Sequence, residues 1–187
     1  GRIFAEMVEP SRIDAPEVSK RVAIIHAGGL APGMNAAARD AVRIGISRGY
    51  TMLGVQGGFP GLRDGDVTEL TWGEVEGWLT DGGANLGLRR TVPGVEDLYR
   101  ISRAIEDHRI DALLMIGGWN GYQAVELMHR ESERFPACRL PVVCVPASID
   151  NNLPGWPMAV GSDTALNTVV RSIDMVRMSA SASKRAF

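Results

Sequence analysis

Apolar residues along this chain follow two rhythms, and the two alternate. Arg21–His26, Thr51–Val55, Ala112–Ile116 and Val142–Val145 are short, nearly unbroken apolar runs and read as buried strands. Between and after them, apolar residues recur every three or four positions. Met34–Arg48 carries the stripe Ala38, Ala41, Val42, Gly45 and Ile46; Val95–His108 carries Val95, Leu98, Ile101 and Ile105. Asp163–Met178 carries Leu166, Val169, Val170, Ile173 and Val176. That period predicts helices with one apolar face. Tyr122–Ser132 and Glu74–Leu79 read as two further helices, and Gly57-Gly58-Phe59-Pro60-Gly61 as a turn-rich loop.

Strands alternating with helices of this length predict an α/β fold, a three-layer sandwich with a mostly parallel sheet and helices on both faces. One domain is expected over residues 21–187. Residues 1–20, polar and broken by Pro10 and Pro16, read as a linker, with a short helix over Arg2–Val8, coming from a preceding segment. After Ser183-Lys184-Arg185 another strand would be due, so the sheet is expected to be incomplete at its C-terminus.

Composition narrows the classes. A net charge of −2 over 187 residues gives no general attraction for nucleic acid, so an anionic partner must be met by local positive charge. Cys138 and Cys144 lie in or beside an apolar run and read as reduced core thiols, which fits a cytoplasmic protein. No run approaches the ~20 apolar residues of a membrane span, and no signal-peptide pattern is present. The three histidines, His26, His108 and His129, lack metal-ligand spacing.

Two strands run into glycine pairs. The first gives Gly28-Gly29-Leu30-Ala31-Pro32-Gly33-Met34-Asn35, the second Gly117-Gly118-Trp119-Asn120-Gly121. A strand–glycine–helix junction leaves backbone N–H groups and a helix N-terminus facing open space, which suits an anion. In a parallel sheet both pairs and the loop after Val145 fall at the carboxyl edge, where ligands bind. The first, over Gly28–Gly33, is neither the dinucleotide fingerprint nor a P-loop. Either one alone is also an ordinary tight β–α turn. Ser148-Ile149-Asp150-Asn151-Asn152 follows the last strand; its carboxylate could take a proton from a hydroxyl nucleophile, or simply form a turn. Arg39 and Arg43 share a helix face beside the apolar stripe and are expected to be exposed, while Arg89-Arg90 lies in a Gly-rich loop.

At these residues the chain resembles the 6-phosphofructokinase family, over about Arg21 to Arg185. The family's Gly-Gly-Asp-x-x-Gly-x-Asn is met except at Leu30, and its Gly-Gly-Asp-Gly-Ser/Thr by Gly117–Gly121. Thr-Ile-Asp-Asn-Asp is met by Ser148–Asn152, and Val160–Thr168 also looks like the family. The resemblance implies that Gly28, Arg90, Gly118, Asn120 and Gly121 hold nucleotide phosphate. It implies that Asp150 holds the base position, that Ser148, Asn152 and Arg185 join it around a sugar phosphate, and that Arg39, Arg43 and Arg177 serve a nucleotide effector. It places a Mg²⁺-binding aspartate where Trp119 stands. Asn152 and Leu30 remove two more carboxylates, and Mg²⁺ needs hard oxygen ligands. The pattern is most like the C-terminal regulatory half of duplicated phosphofructokinases, although Asp150 is retained. The implied parent uses Mg²⁺ and transfers phosphoryl from ATP to fructose 6-phosphate in glycolysis. This copy is expected to hold no metal and to bind fructose phosphate or adenine nucleotide beside other phosphofructokinase halves or subunits, with neither nucleic acid nor membrane. The alternatives are an active half using pyrophosphate or an atypical metal site, and a structural half that only supports the oligomer.

Overall fold

A computed structural model of the chain describes residues 19–184. The expected linker and short helix before Ser19, and Arg185, lie outside the described residues, apart from Ser19 and Lys20 themselves. Five strands form one sheet in the order β3-β2-β1-β4-β5. They are β1 (Arg21–Ala27), β2 (Thr51–Val55), β3 (Val67–Glu69), β4 (Ala112–Gly117) and β5 (Val142–Pro146). β2, β1, β4 and β5 are parallel, with Ile24 of β1 opposite Gly54 of β2 and Leu114 of β4. The carboxyl ends of β1 and β4 therefore stop level, at Ala27 and Gly117.

Helices cover both faces. Alternate strand residues point to opposite sides of the sheet. Ala23, Ile25, Leu53, Val55, Leu113 and Met115 pack on one side against α2 (Phe59–Asp64), α3 (Leu98–Asp107) and α4 (Trp119–Arg130). Ile24, Met52 and Ile116 pack on the other against Met34, Ala38 and Val42 of α1 (Met34–Ser47), together with Val75 and Trp78 around a 3-10 turn at Glu76–Leu79. Each Val, Leu, Ile or Met side chain fully buried here contributes ~1.5–3 kcal/mol. The predicted stripes of α1 and α3 do face these cores.

Four expectations need correction. The loop predicted at Gly57–Gly61 is the entry to α2, because Pro60 at the first turn suits a helix start. The short antiparallel strand β3 was not expected; it pairs Glu69 with Leu53 and Val67 with Val55. The helix predicted from Tyr122 begins at Trp119, with Gly118 as its N-cap in extended conformation. The last helix, α5 (Ser162–Ser183), runs beyond Met178 and, among the described residues, packs closely on no other element. Leu166, Val169, Val170, Ile173 and Val176 are 47–62% exposed.

α1 and α5 start side by side. Gly33 (φ 92°) and Gly161 (φ 89°) are their left-handed N-caps, a conformation that favours glycine. A Cβ on Gly161 would stand 2.7 Å from the Pro32 carbonyl oxygen, and one on Gly33 would stand 3.1 Å from Val160. Beyond β5, Ala147 bridges to Val160, tying the start of α5 to the sheet. Among the described residues no helix is long and apolar enough to cross a membrane.

Candidate functional site

The level ends of β1, β4 and β5 open into one cavity of about 240 Å³. Its lining brings together Gly29 and Leu30 after β1, Arg90, the Gly118-Trp119-Asn120 start of α4, and Ser148, Ile149, Asp150 and Asn152 after β5. Both glycine pairs and Asp150 thus meet at one sheet edge, as parallel strands of equal polarity require.

Each wall has a local cause. Gly118 lets the chain leave β4 extended and begin α4 at once, aiming that helix's first N–H groups at the cavity. Arg90 lies flat over Gly29: a Cβ there would be 3.2 Å from its Nη2. Backbone bonding sets that position, because the Gly28 N–H donates to the Arg89 carbonyl at 2.9 Å. After β5, Ser148 Oγ accepts from the Asp150 N–H (3.1 Å) and donates to Asn152 Oδ1 (3.3 Å). Asn151 shapes the rest of that loop. Its Oδ1 accepts from the Ala159 N–H at 2.8 Å, and its Nδ2 donates to the Pro157 carbonyl at 3.2 Å.

Chemically the cavity has two sides. Arg90, Ser148, Asp150, Asn152, Asn120 and the α4 N-terminus are polar. Leu30, Trp119 and Ile149 are each about half exposed and present carbon. Asp150 is its one carboxylate, and among the described residues no three His, Cys, Asp or Glu side chains converge as metal ligands. A divalent cation needs several hard oxygens. Trp119 and Leu30 supply none, which leaves Asp150 as the one charged oxygen donor in the lining.

Some expected site residues stand elsewhere. The Gly28 N–H donates to the Arg89 carbonyl at 2.9 Å, and Gly28 does not line the cavity. Gly121 is buried within the first turn of α4 and faces the core, where a Cβ would press on Met115 Sδ; it is a packing residue. Arg39 and Arg43 are not the exposed guanidiniums expected. The segment around Trp72 and Trp78 folds against α1 and covers that flank. Arg43 stacks on the Trp72 ring at 4.6 Å, Arg39 pairs with Asp40 at 2.7 Å, and the Nε atoms of both are shut off from solvent without a partner. Arg177 is exposed on α5, which does not pack on α1, so the described fold does not gather these three arginines.

Two participants escaped the sequence reading. Ile149, inside a recognised motif, faces the cavity. Asn35 is 1% exposed and bonds to Asp81, Gly82 and Asn85. Its fixed place after a Gly-Gly turn was visible; its distant partners were not. His26, at the end of β1, is fully buried and neither ring nitrogen has a hydrogen-bond partner. Burial pushes its pKa down to about 4, outweighing an opposing approach to the Met34 backbone.

A mostly parallel sheet with helices on both faces and a cavity at the carboxyl ends of its strands defines an α/β domain. Comparison with known proteins narrows the class. The family described as Phosphofructokinase matches residues 21–187, and the chain belongs to that family. It is 42% identical over 170 residues to the platelet-type ATP-dependent 6-phosphofructokinase of Rattus norvegicus, covering 91% of this chain and 21% of that protein. It is 39% identical over 183 residues to the ATP-dependent 6-phosphofructokinase of Aspergillus fumigatus, covering 94% and 22%. The fold superposes on phosphofructokinase from Saccharomyces cerevisiae with a TM-score of 0.84 at 33% identity, over 88% of this chain and 22% of that one. The chain spans about a fifth of the length of the curated relatives it matches.

Proposed function

We propose that this chain is part of a degenerate, regulatory half of a cytoplasmic 6-phosphofructokinase, a half that binds phosphorylated ligands without turning them over. The observation that carries the reading is Trp119, the first residue of α4, set where the family motif calls for a metal-binding aspartate. Phosphoryl transfer depends almost wholly on positioning and on metal-assisted charge stabilisation. A cavity with one carboxylate and an indole at the helix start lacks the second. Arg90, Asn120, Gly118 and the α4 N-terminus remain suited to phosphate, with Ser148, Asp150 and Asn152 on the sugar side; the family motif assigns Arg185 to the sugar phosphate as well. Arg39, Arg43 and Arg177 are proposed for a nucleotide effector that a neighbouring half or subunit would complete. In the parent, ATP, Mg²⁺ and fructose 6-phosphate would be handled by the intact half.

Two measurements test this. Fructose 6-phosphate at about 100 times its Kd should stabilise the chain by about 2.7 kcal/mol without added metal, which a purely structural half would not show. In the full-length parent, Asp150→Asn should leave ATP-dependent turnover unchanged, and Trp119→Asp alone should create no new activity, because Leu30 and Asn152 remain. Because Asp150 is retained in the cavity, a working half with an atypical metal site or a pyrophosphate donor is the second reading. Turnover lost on Asp150→Asn, with ATP or with pyrophosphate, would establish it.

A further inference from the structure

We infer that Asn35 is the positioning residue that sets Arg90 over the cavity, by clamping the irregular segment between Thr80 and Gly94 onto the first turn of α1. The consequence for binding rests on the phosphate reading of the cavity; the clamp itself does not. Residues 81–94 contain no helix or strand, yet they deliver Arg90 to a fixed place over Gly29. Such a segment needs ties, and its strongest side-chain tie is one amide.

The Asn35 side chain is buried and all its polar atoms are engaged. Its Oδ1 accepts the Asn85 N–H at 2.7 Å. Its Nδ2 faces the carbonyls of Asp81 (3.2 Å) and Gly82 (3.1 Å) and the Asn85 Oδ1 (3.1 Å). Donor and acceptor are both required, so neither an aspartate nor an apolar residue reproduces the set. These partners lie 46 to 50 positions along the chain. Downstream, the segment is tied again. Leu86 is buried and its carbonyl accepts from the Gly57 N–H at 2.7 Å; the Arg89 carbonyl accepts from Gly28. The turn from Gly28 to Asn35 therefore grips one segment at two points, Arg89 and residues 81–85, with Arg90 immediately beyond the first. Asn35 is not among the cavity-lining residues, which makes it a positioning residue rather than a ligand contact.

The test compares the full chain, Asn35→Ala and a control, Met128→Ala, which removes a buried side chain from the core on the other face of the sheet. Amide hydrogen exchange and fructose 6-phosphate affinity are measured together. In Asn35→Ala, exchange at the hydrogen-bonded amides Asn85 and Gly87 within residues 81–90 and at Gly28 should rise roughly tenfold while α3 keeps its protection, and Kd should rise roughly tenfold. Met128→Ala should lower thermal stability yet leave Kd and residues 81–90 unchanged. If Asn35→Ala does not fold, Asn85→Ala removes one exposed acceptor and should give the same pattern at roughly threefold. Unchanged exchange at 81–90 in the folded variants, or an equal loss of affinity in Met128→Ala, overturns the inference. Faster exchange at 81–90 in a protein whose wild type binds no fructose 6-phosphate upholds the clamp and removes the phosphate reading instead.

Discussion

α1 and α5 begin as near twins and end as opposites. Both start from a left-handed glycine at the same corner of the molecule, and both carry an apolar stripe with helical period. α1 lays its stripe on the sheet: Met34, Ala38 and Val42 are fully buried. α5 leaves Leu166, Val169, Val170, Ile173 and Val176 largely in solvent. An amphipathic pattern specifies a helix and the face it would bury; it does not specify what will cover that face. Burial comes from the neighbour, and the sheet supplies one only to α1.

The contrast is broken most forcefully by truncating the two stripes. Met34→Ala should cost about 2–5 kcal/mol, because a fully buried side chain leaves a cavity. Ile173→Ala should fall within about 0.5 kcal/mol of wild type, since its side chain is already in water. Urea titration of both variants measures the difference, and equal losses would mean that α5 is packed in solution.

Acid sharpens the same contrast, because α1 covers a titratable group and α5 does not. The folded state keeps His26 neutral down to about pH 4, whereas an unfolded chain protonates it near 6.5. Between those values the unfolded state binds more protons, so stability falls as pH drops through the window and levels off below it. The loss is on the order of 3 kcal/mol. Unfolding curves from pH 7.5 to 4 should show it, and His26→Asn should flatten it by about that amount. An unflattened curve would mean that His26 is hydrated or hydrogen-bonded in solution.

The smallest effect concerns the arginines. Arg43→Ala should cost about 0.5–1 kcal/mol through the lost stacking on Trp72, and Arg177→Ala close to nothing. If the two match, the Trp72 contact contributes nothing.

Much of this fold can be read from the sequence. The four parallel strands, α1, α3 and the sheet's carboxyl edge follow from apolar runs, helical periodicity and the alternation of the two. What stayed hidden depends on partners far along the chain. β3 has three residues and exists because β2 offers it an edge. α2 was masked by its glycines; Gly61 sits inside that helix where any Cβ would collide with the Gln56 carbonyl. The cavity's polar side was legible because motif residues cluster at strand ends. The exposure of Arg39 and Arg43 was misjudged because the segment that covers them approaches from 30 residues away. Asn35 shows the same limit, since an amide's chemistry is visible in sequence but not the carbonyls it will meet.

The outer edge of β5 has a consequence for self-association. The Ala147 N–H and the Pro141 carbonyl both bond inward to β4, so by alternation the backbone groups of Val142, Cys144 and Pro146 face outward. Pro146 has no N–H to offer, and its carbonyl already accepts from Val160 at 2.8 Å. Among the described residues, only Val142 and Cys144 of this strand present donors and acceptors without a partner to an incoming strand. Among the described residues, Pro146 therefore closes the carboxyl end of this edge to an incoming strand and leaves any pairing there to Val142 and Cys144, beside Val143, which is 62% exposed.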